Sequence, residues 1–595
     1  MNNNRILSVL ALLMVIGLLS VACDGSAHRA PSRRATAGDI PGKPHFRPAT
    51  KGGVMRLASV GDVDFMDPGQ ASSVMFTSTI GRATLRTLIS YPESPELAKQ
   101  IIPAPDLATA LGDHNVANTR WTYHLRPGLE YGKGLGGVDV SGVTGHPVKT
   151  ADIRYAIERL YNPAVGGGFP IYYDNIVGAN RCRRAATYGC HISGIHTPND
   201  STIVFNLTQP TGDWDMRMAL PATAPVPRKA ASKYDNSKDS NYDSHVVSSG
   251  PYYVATYKPG RKIIMKRNTT WDPASDPIRK AYPDEIDWKQ GFDPNVCNAE
   301  VASGHHDLTL DCPATGTELR KVSQLGTRFL NGPQPCTYYL FLDTKVKPFD
   351  NINVRRAVNL IINKNNLRRR TPGGAFSGAL ASSILPLGVL GHLGTALYDP
   401  FPSSANNGNV GAARALMKKA GYGGGYHKRL LFFAAPTDST PGQISSVRAD
   451  LKKIGIDKVT QGPSDLLPSP QYYQDPASRT GLGFASWCAD LPSPDSFLTP
   501  LLYGPDLKAR TNNNYSQVND PELNSLIRKA QAADPAHASA AWTAANKRGT
   551  ELAALVPIRW SFARVLVSAR LRNAYYDQSL QNVDFVNAGV KGRGR

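Results

Sequence analysis

RWTYHLRPGLEYGKGLGGVDVSGVTGHPVKTADIRYAIERL, residues 120–160, sets a strand and a helix on either side of a glycine-rich stretch. Arg120 to Leu125 alternates in the way that half-buries a strand, and Arg126-Pro127-Gly128 is a turn signal that ends it. Thr150 can cap a helix in which Ile153, Ala156, Ile157 and Leu160 recur at i, i+3, i+4 and i+7, a single apolar face. Between them Gly132, Gly134 and Gly137 match G-x-G-x-x-G, the spacing that cradles a pyrophosphate. That reading requires a helix to open at once. Val138 to His146 instead holds more glycine and alternating valines, so the stretch is expected to be a loop.

The same punctuation extends outward. Lys51 to Leu57 (KGGVMRL) reads as the first strand, with Thr202 to Leu207 and Lys262 to Lys266 as later ones, the last after a Gly250-Pro251 break. Past Cys336 the pattern turns helical. Val354, Ala357, Val358, Ile361 and Ile362 form one apolar stripe, and Val410 to Ala420 forms a second helix ended by Gly421. Asp520-Pro521 has the form of an N-cap and first helical residue, leading into Leu523, Leu526, Ile527 and Ala530. Strands alternating with helices predict an α/β protein with mixed α+β sheets.

The 595 residues are 41% hydrophobic, a globular balance, and suggest two to four domains at about 150 residues each. A net charge of +20 invites a nucleic-acid reading. Arg183-Arg184 and Arg368-Arg369-Arg370 are short, distant clusters with no aromatic stripe, so a basic solvated surface and no nucleic-acid partner are expected. There is no G-x-S-x-G, no Walker sequence and no H-E-x-x-H, and the acidic residues show no local pairing for acid–base work. No metal site or cofactor is expected, and the motifs alone leave either an exported binding module or an enzyme whose site the sequence does not reveal.

Residues 1–22 read as an export signal: Arg5, then an apolar run from Ile6 to Leu19 too short to span a bilayer, then Ser20-Val21-Ala22. The small residues before Cys23 resemble a bacterial lipobox, although Ser20 stands where Leu, Val or Ile is usual. Cys23 is therefore expected to carry lipid, and residues 23–51, rich in Ser, Ala, Arg, Pro and Gly, to form a disordered tether. Six other cysteines allow 15 connectivities. Short separations favour Cys182–Cys190 and Cys297–Cys312, which leaves Cys336–Cys488.

Ordered strings along the chain carry a family resemblance. They include GGVMRLASVGDVDFMDPG (residues 52–69), WTYHLRPGLEY (121–131), VKTADIRYAIERL (148–160) and SSGPYYVATYKPGRKIIMKRNTTW (248–271). CTYYLFLDTKVKPFDNINVRRAV (336–358), AARALMKKAGY (412–422), WCADLPSPDSFL (487–498) and ALVPIRW (554–560) continue the order. The mature chain resembles the bacterial extracellular solute-binding proteins of family 5, which serve oligopeptide, dipeptide and nickel ABC importers, and is most similar to their peptide-binding branch.

The resemblance implies a periplasmic-binding-protein-like fold of class II type, with two lobes and an extra domain inserted in the first. Lobe I would comprise residues 52–75, 212–334 and 561–595, the inserted domain II 76–211, and lobe III 335–560. It implies a monomeric, non-catalytic protein on the outer face of the cell membrane that captures peptides and delivers them to a permease with ATPase subunits. A nickel chelate, an oligosaccharide or another small molecule is the alternative ligand within the fold, and an exported hydrolase the rival class.

By residue, Asp490 matches the aspartate that pairs with a peptide's α-ammonium, Ser486 and Cys488 main-chain pairing positions, and Trp487 a wall aromatic. Asp62 and Val63 match first-lobe positions flanking the ligand, and Cys336–Cys488 matches a disulfide of oligopeptide binders. The family arginine before the tryptophan is replaced by Phe484, a lysine for the ligand carboxylate falls near Pro372, and an acidic residue near the hinge falls at Phe341. Arg370, Arg368 or Arg479 could substitute for the missing carboxylate contact.

Overall fold

The computed structural model describes residues 47–236, 238–433, 441–462, 481–507 and 512–591. The signal, Cys23 and Arg479 lie outside these residues, as does the expected tether up to residue 46. Its last residues are already held: the Asn573 amide donates to the Arg47 carbonyl (3.1 Å), and Gly589 leaves room for Ala49.

Strand Val54–Ala58 buries Met55 and Leu57 completely. It begins after Gly52 and Gly53, whose φ of +118° and +81° only glycine adopts readily, so the strand starts three residues later than the sequence suggests. It pairs in parallel with Glu285–Lys289 and Leu308–Thr309, and antiparallel strands Lys262–Arg267 and Tyr252–Lys258 complete a five-stranded sheet. Parallel neighbours need a long crossover. Here part of that crossover builds a second, four-stranded antiparallel sheet of Asp113–His114, Arg120–His124, Thr202–Asn206 and Ile195–Asn199.

Helix Thr150–Arg159 packs Ile153, Ala156 and Ile157 into a core with Trp121, Tyr123, Phe205 and Trp214. Thr150 is not its cap. Its hydroxyl donates to the Asn199 carbonyl (2.7 Å), and Asp152, in the first turn, accepts the Lys149 amide (3.0 Å) instead. At the other end Arg159 is 2% exposed and forms ion pairs with Asp67 (2.7 Å) and Asp235 (2.6 Å). A buried guanidinium thus ties the helix to the turn that follows the first strand. The 132–146 stretch is a loop, with Gly137 at φ +75°.

The third large sheet has six strands in the order Gly378–Leu380, Leu555–Phe562, Pro333–Leu342, Leu482–Cys488, Leu430–Phe433 and Val459–Gln461. Its central strand Pro333–Leu342 is buried on both faces. Tyr338, Leu340 and Leu342 join one apolar cluster with Val354, Val358 and Phe432, and Tyr339 and Phe341 join another with Leu385, Phe497 and Trp542. The helices expected from capping and periodicity are present as Ile352–Ile361, Val410–Lys419 and Pro521–Gln531. Asp520 caps the last by accepting the Leu523 amide (2.8 Å), and Gly421 at φ +83° follows the second. All three cysteine pairs, Cys182–Cys190, Cys297–Cys312 and Cys336–Cys488, are disulfides.

Gly483 lies opposite Phe341 across the ladder, and a Cβ there would stand 2.6 Å from the Phe433 carbonyl oxygen and 2.7 Å from the Phe341 ring. Gly483→Ala is expected to cost about 1–3 kcal/mol through overpacking, measured by urea denaturation. An unchanged midpoint would show that the sheet relaxes there.

Candidate functional site

Strand Leu482–Cys488 runs antiparallel to Pro333–Leu342 in continuous register from Leu342↔Leu482 to Cys336↔Cys488. Its other edge pairs in parallel with Leu430–Phe433 only at Leu482 and Gly483. Beyond Gly483, the main chain on that edge has no strand partner among the described residues. Ser486 and Cys488 are exposed, Trp487 is half-buried and donates from Nε1 to the Ser496 carbonyl (2.9 Å), and the Ala489 amide donates to the Pro335 carbonyl (2.9 Å). Asp490 follows directly, so the core of the sheet fixes its position.

Tyr172, from the loop before helix Ala179–Ala185, donates its hydroxyl to Asp490 Oδ2. Arg217 donates to the Tyr172 carbonyl (3.0 Å) and to Asp495 (2.9 Å), and also pairs with Asp213 (2.8 Å). Ser493 donates to the other oxygen of Asp213 (2.6 Å). Leu491 is 3% exposed and belongs to the apolar cluster of the four-stranded sheet. Residues 490–495 are therefore held by one apolar side chain and several polar contacts from residues 172–217.

Part of the Asp490 surface remains open to solvent, yet loss of hydration within the cleft raises its carboxyl above the ordinary range, and the Tyr172 hydroxyl only partly offsets this. Asp495 is raised too, first by burial and then by Asp213, against the pull of Arg217. The contrast is in the partners. Asp495 faces a guanidinium, whereas Asp490 accepts from a neutral hydroxyl. A cavity of about 60 Å³ adjoins Asp490, lined also by Arg82, Tyr91, Leu220, Arg279 and Leu580. That is space for about two waters, so a larger ligand requires these segments to separate.

Asp62 and Val63 are not brought to this cluster. Asp62 accepts from the Tyr257 hydroxyl (3.0 Å), the Gly260 amide (2.8 Å), the Gln290 side chain (2.5 Å) and the Val63 amide (2.7 Å). Val63 packs with Met55, Met66 and Phe76, and neither its cluster nor the hydrogen bonds of Asp62 include residues 486–490. Both side chains serve the five-stranded sheet. Phe484 is a core residue, stacked on Tyr338 (5.3 Å) and edge-on to Phe432, and Phe341 is 1% exposed, so neither replacement is free to touch a ligand.

Arg370 caps helix Lys364–Arg369 through its amide, and its exposed side chain makes no hydrogen bond or ion pair among the described residues. Nearby, Arg368 has Nε and Nη1 buried without a partner, and Arg564 donates to the Pro372 carbonyl (3.0 Å). Burial lowers both guanidiniums. Sequence reasoning missed Tyr172, Asp213, Arg217, Ser493 and Asp495. The only local hint was the glycine-then-aromatic stretch GGGFPIYYDN at 166–175.

The description "Bacterial extracellular solute-binding proteins, family 5 Middle" matches residues 103–508. The Periplasmic oligopeptide-binding protein OppA of Escherichia coli (strain K12) is 22% identical over 484 residues, 79% of this chain and 80% of that protein. The Probable ABC transporter periplasmic-binding protein SapA of the same organism is 23% identical over 543 residues, 87% of this chain and 86% of that protein. Among solved structures, Clavulanic acid biosynthesis oligopeptide binding protein 2 superposes with a TM-score of 0.82 at 29% identity, over 94% of this chain and 99% of that one. DppA from Helicobacter pylori in complex with the peptide STSA gives a TM-score of 0.67 at 20% identity, over 91% and 99% of the two chains, a likeness of fold. The fold is periplasmic-binding-protein-like, and these relatives are binding proteins rather than enzymes. The chain belongs to the family 5 bacterial extracellular solute-binding proteins.

Proposed function

We propose that the protein captures peptides for an ABC importer, working as a monomer anchored by lipid on Cys23 to the outer face of the cell membrane. Residues 52–75, 212–334 and 561–595 form lobe I, 76–211 an inserted domain, and 335–560 lobe III. A permease with its ATPase subunits receives the ligand. One observation carries the peptide reading: among the described residues Asp490 is a carboxylate without a cationic partner, at the end of a strand whose outer edge is unpaired from Phe484 to Cys488. A peptide N-terminus brings an ammonium to the carboxylate and an extended backbone to the edge. Main-chain pairing of this kind gives affinity without sequence choice. A ligand carboxylate would be met by Arg368, Arg370 or Arg564 around the 370–373 turn.

Asp490→Asn should weaken binding of a mixed peptide pool about 30-fold or more, while the unsubstituted protein discriminates equally against N-acetylated peptides. Native mass spectrometry of retained peptides checks both, and equal retention of free and acetylated peptides would remove Asp490 from the site. The pH dependence has a definite sign. The ammonium needs the charged carboxylate, and Asp490 holds its proton more tightly than an ordinary aspartate in the empty protein. Affinity should therefore fall as pH drops through that raised value, by about tenfold per unit below it, and the slope should vanish in Asp490→Asn. Titration calorimetry across acid pH reads this.

Arg217→Ala leaves Asp213 and Asp495 without their shared cation. Like-charged carboxylates should then oppose closure, and peptide release in stopped-flow fluorescence should accelerate about tenfold or more with Asp490 intact.

A further inference from the structure

A cavity of about 410 Å³ shares no lining residue with the one beside Asp490. Arg47, Arg328 and Arg572 line it, together with Ser568, Leu571 and others, and among the described residues no carboxylate does. Main-chain carbonyls fix two of the three guanidiniums. Arg328 donates from Nε to Val567 (3.3 Å) and from Nη2 to Ala302 (2.6 Å), and Arg572 donates from Nη1 to Ala569 and Leu571 (both 2.9 Å). Carbonyls orient a guanidinium without neutralising it. Among the described residues, Arg328 Nη1, Arg572 Nε and Nη2, and the Arg47 guanidinium have no hydrogen bond, and none of the three arginines forms an ion pair. The adjacent Arg570 differs, because it pairs with Asp307 (3.4 Å). Loss of hydration and then the charge of Arg47 lower the Arg572 guanidinium, as expected where like charges face each other with no counter-ion.

We propose that this arginine-lined cavity is a second binding site, for a phosphate-class anion held by Arg47, Arg328 and Arg572. Planar guanidiniums with fixed orientation match the oxygens of a phosphate in pairs, which a lysine cluster does not. The volume exceeds that of a single phosphate, so the group can be a free anion or the headgroup of an anionic lipid. Arg47 stands where the tether meets the folded body, which brings both sources within reach.

The test uses the full chain with Cys23→Ser, so that an acyl anchor does not decide membrane binding. Thermal denaturation is followed in inorganic phosphate and in chloride at equal ionic strength, and phosphate affinity is measured by titration calorimetry. Phosphate is expected to raise Tm by several degrees over chloride, and Arg47→Gln and Arg572→Gln each to weaken phosphate binding about tenfold. Arg47 is exposed near the start of the body, so Arg47→Gln tests the site even if the Arg572 variant fails to fold. Co-sedimentation with phosphatidylglycerol against phosphatidylcholine vesicles separates the sources. Phosphatidylglycerol binding that falls in both variants identifies a lipid headgroup, and phosphate binding with unchanged sedimentation identifies a free anion. A Tm indifferent to phosphate, or variants that bind it as well as the parent, overturns the site.

Discussion

The antiparallel pairing of Pro333–Leu342 with Leu482–Cys488 is the constraint on which the rest of the molecule depends. The first of these strands is buried on both faces, so its register is set by two apolar clusters at once, and a slip of one residue would exchange them. Its partner inherits that register, and Cys336–Cys488 closes the end of the ladder covalently. Asp490 stands just past that closed end. Its main chain is tied back to the sheet through the Ala489 amide, which donates to the Pro335 carbonyl (2.9 Å).

Electrostatics around this frame follow a habit of buried pairing from which Asp490 departs. Arg82 pairs with Asp584, Arg86 and Arg279 share Asp106 and Asp276, and Arg159 joins Asp67 to Asp235, all nearly without exposure. Such matched pairs add little net stability over apolar residues, but breaking one leaves a buried charge unanswered. Among the described residues Asp490 is answered only by a hydroxyl.

Much of the fold was legible because the signals were local. Alternation at 120–124, the apolar runs at 202–206 and 262–267, and capping at Asp520 need only neighbours in sequence, and each forms the expected element. The helix cap at residue 149 was misplaced by one because Asp152, from inside the first turn, supplies the acceptor that Thr150 was expected to give. The site was legible only in part. Tyr172 meets Asp490 from 318 residues away, a distance no periodicity encodes. Asp62 is equally non-local, with its oxygens accepting from Tyr257, Gly260 and Gln290, 195 to 228 residues away. Phe484 read as a lost ligand contact; packed between Tyr338 and Phe432, it is a gained core residue.

Leu491 carries a kinetic consequence. The residue beside Asp490 is buried in the apolar cluster of the four-stranded sheet, so parting these segments exposes a leucine at a cost of about 1.5–3 kcal/mol, besides the polar contacts of Tyr172 and Arg217. The leucine, the Tyr172 hydroxyl and the Arg217 guanidinium together hold residues 490–495 against residues 172–217, so the barrier to parting them includes the loss of all three contacts.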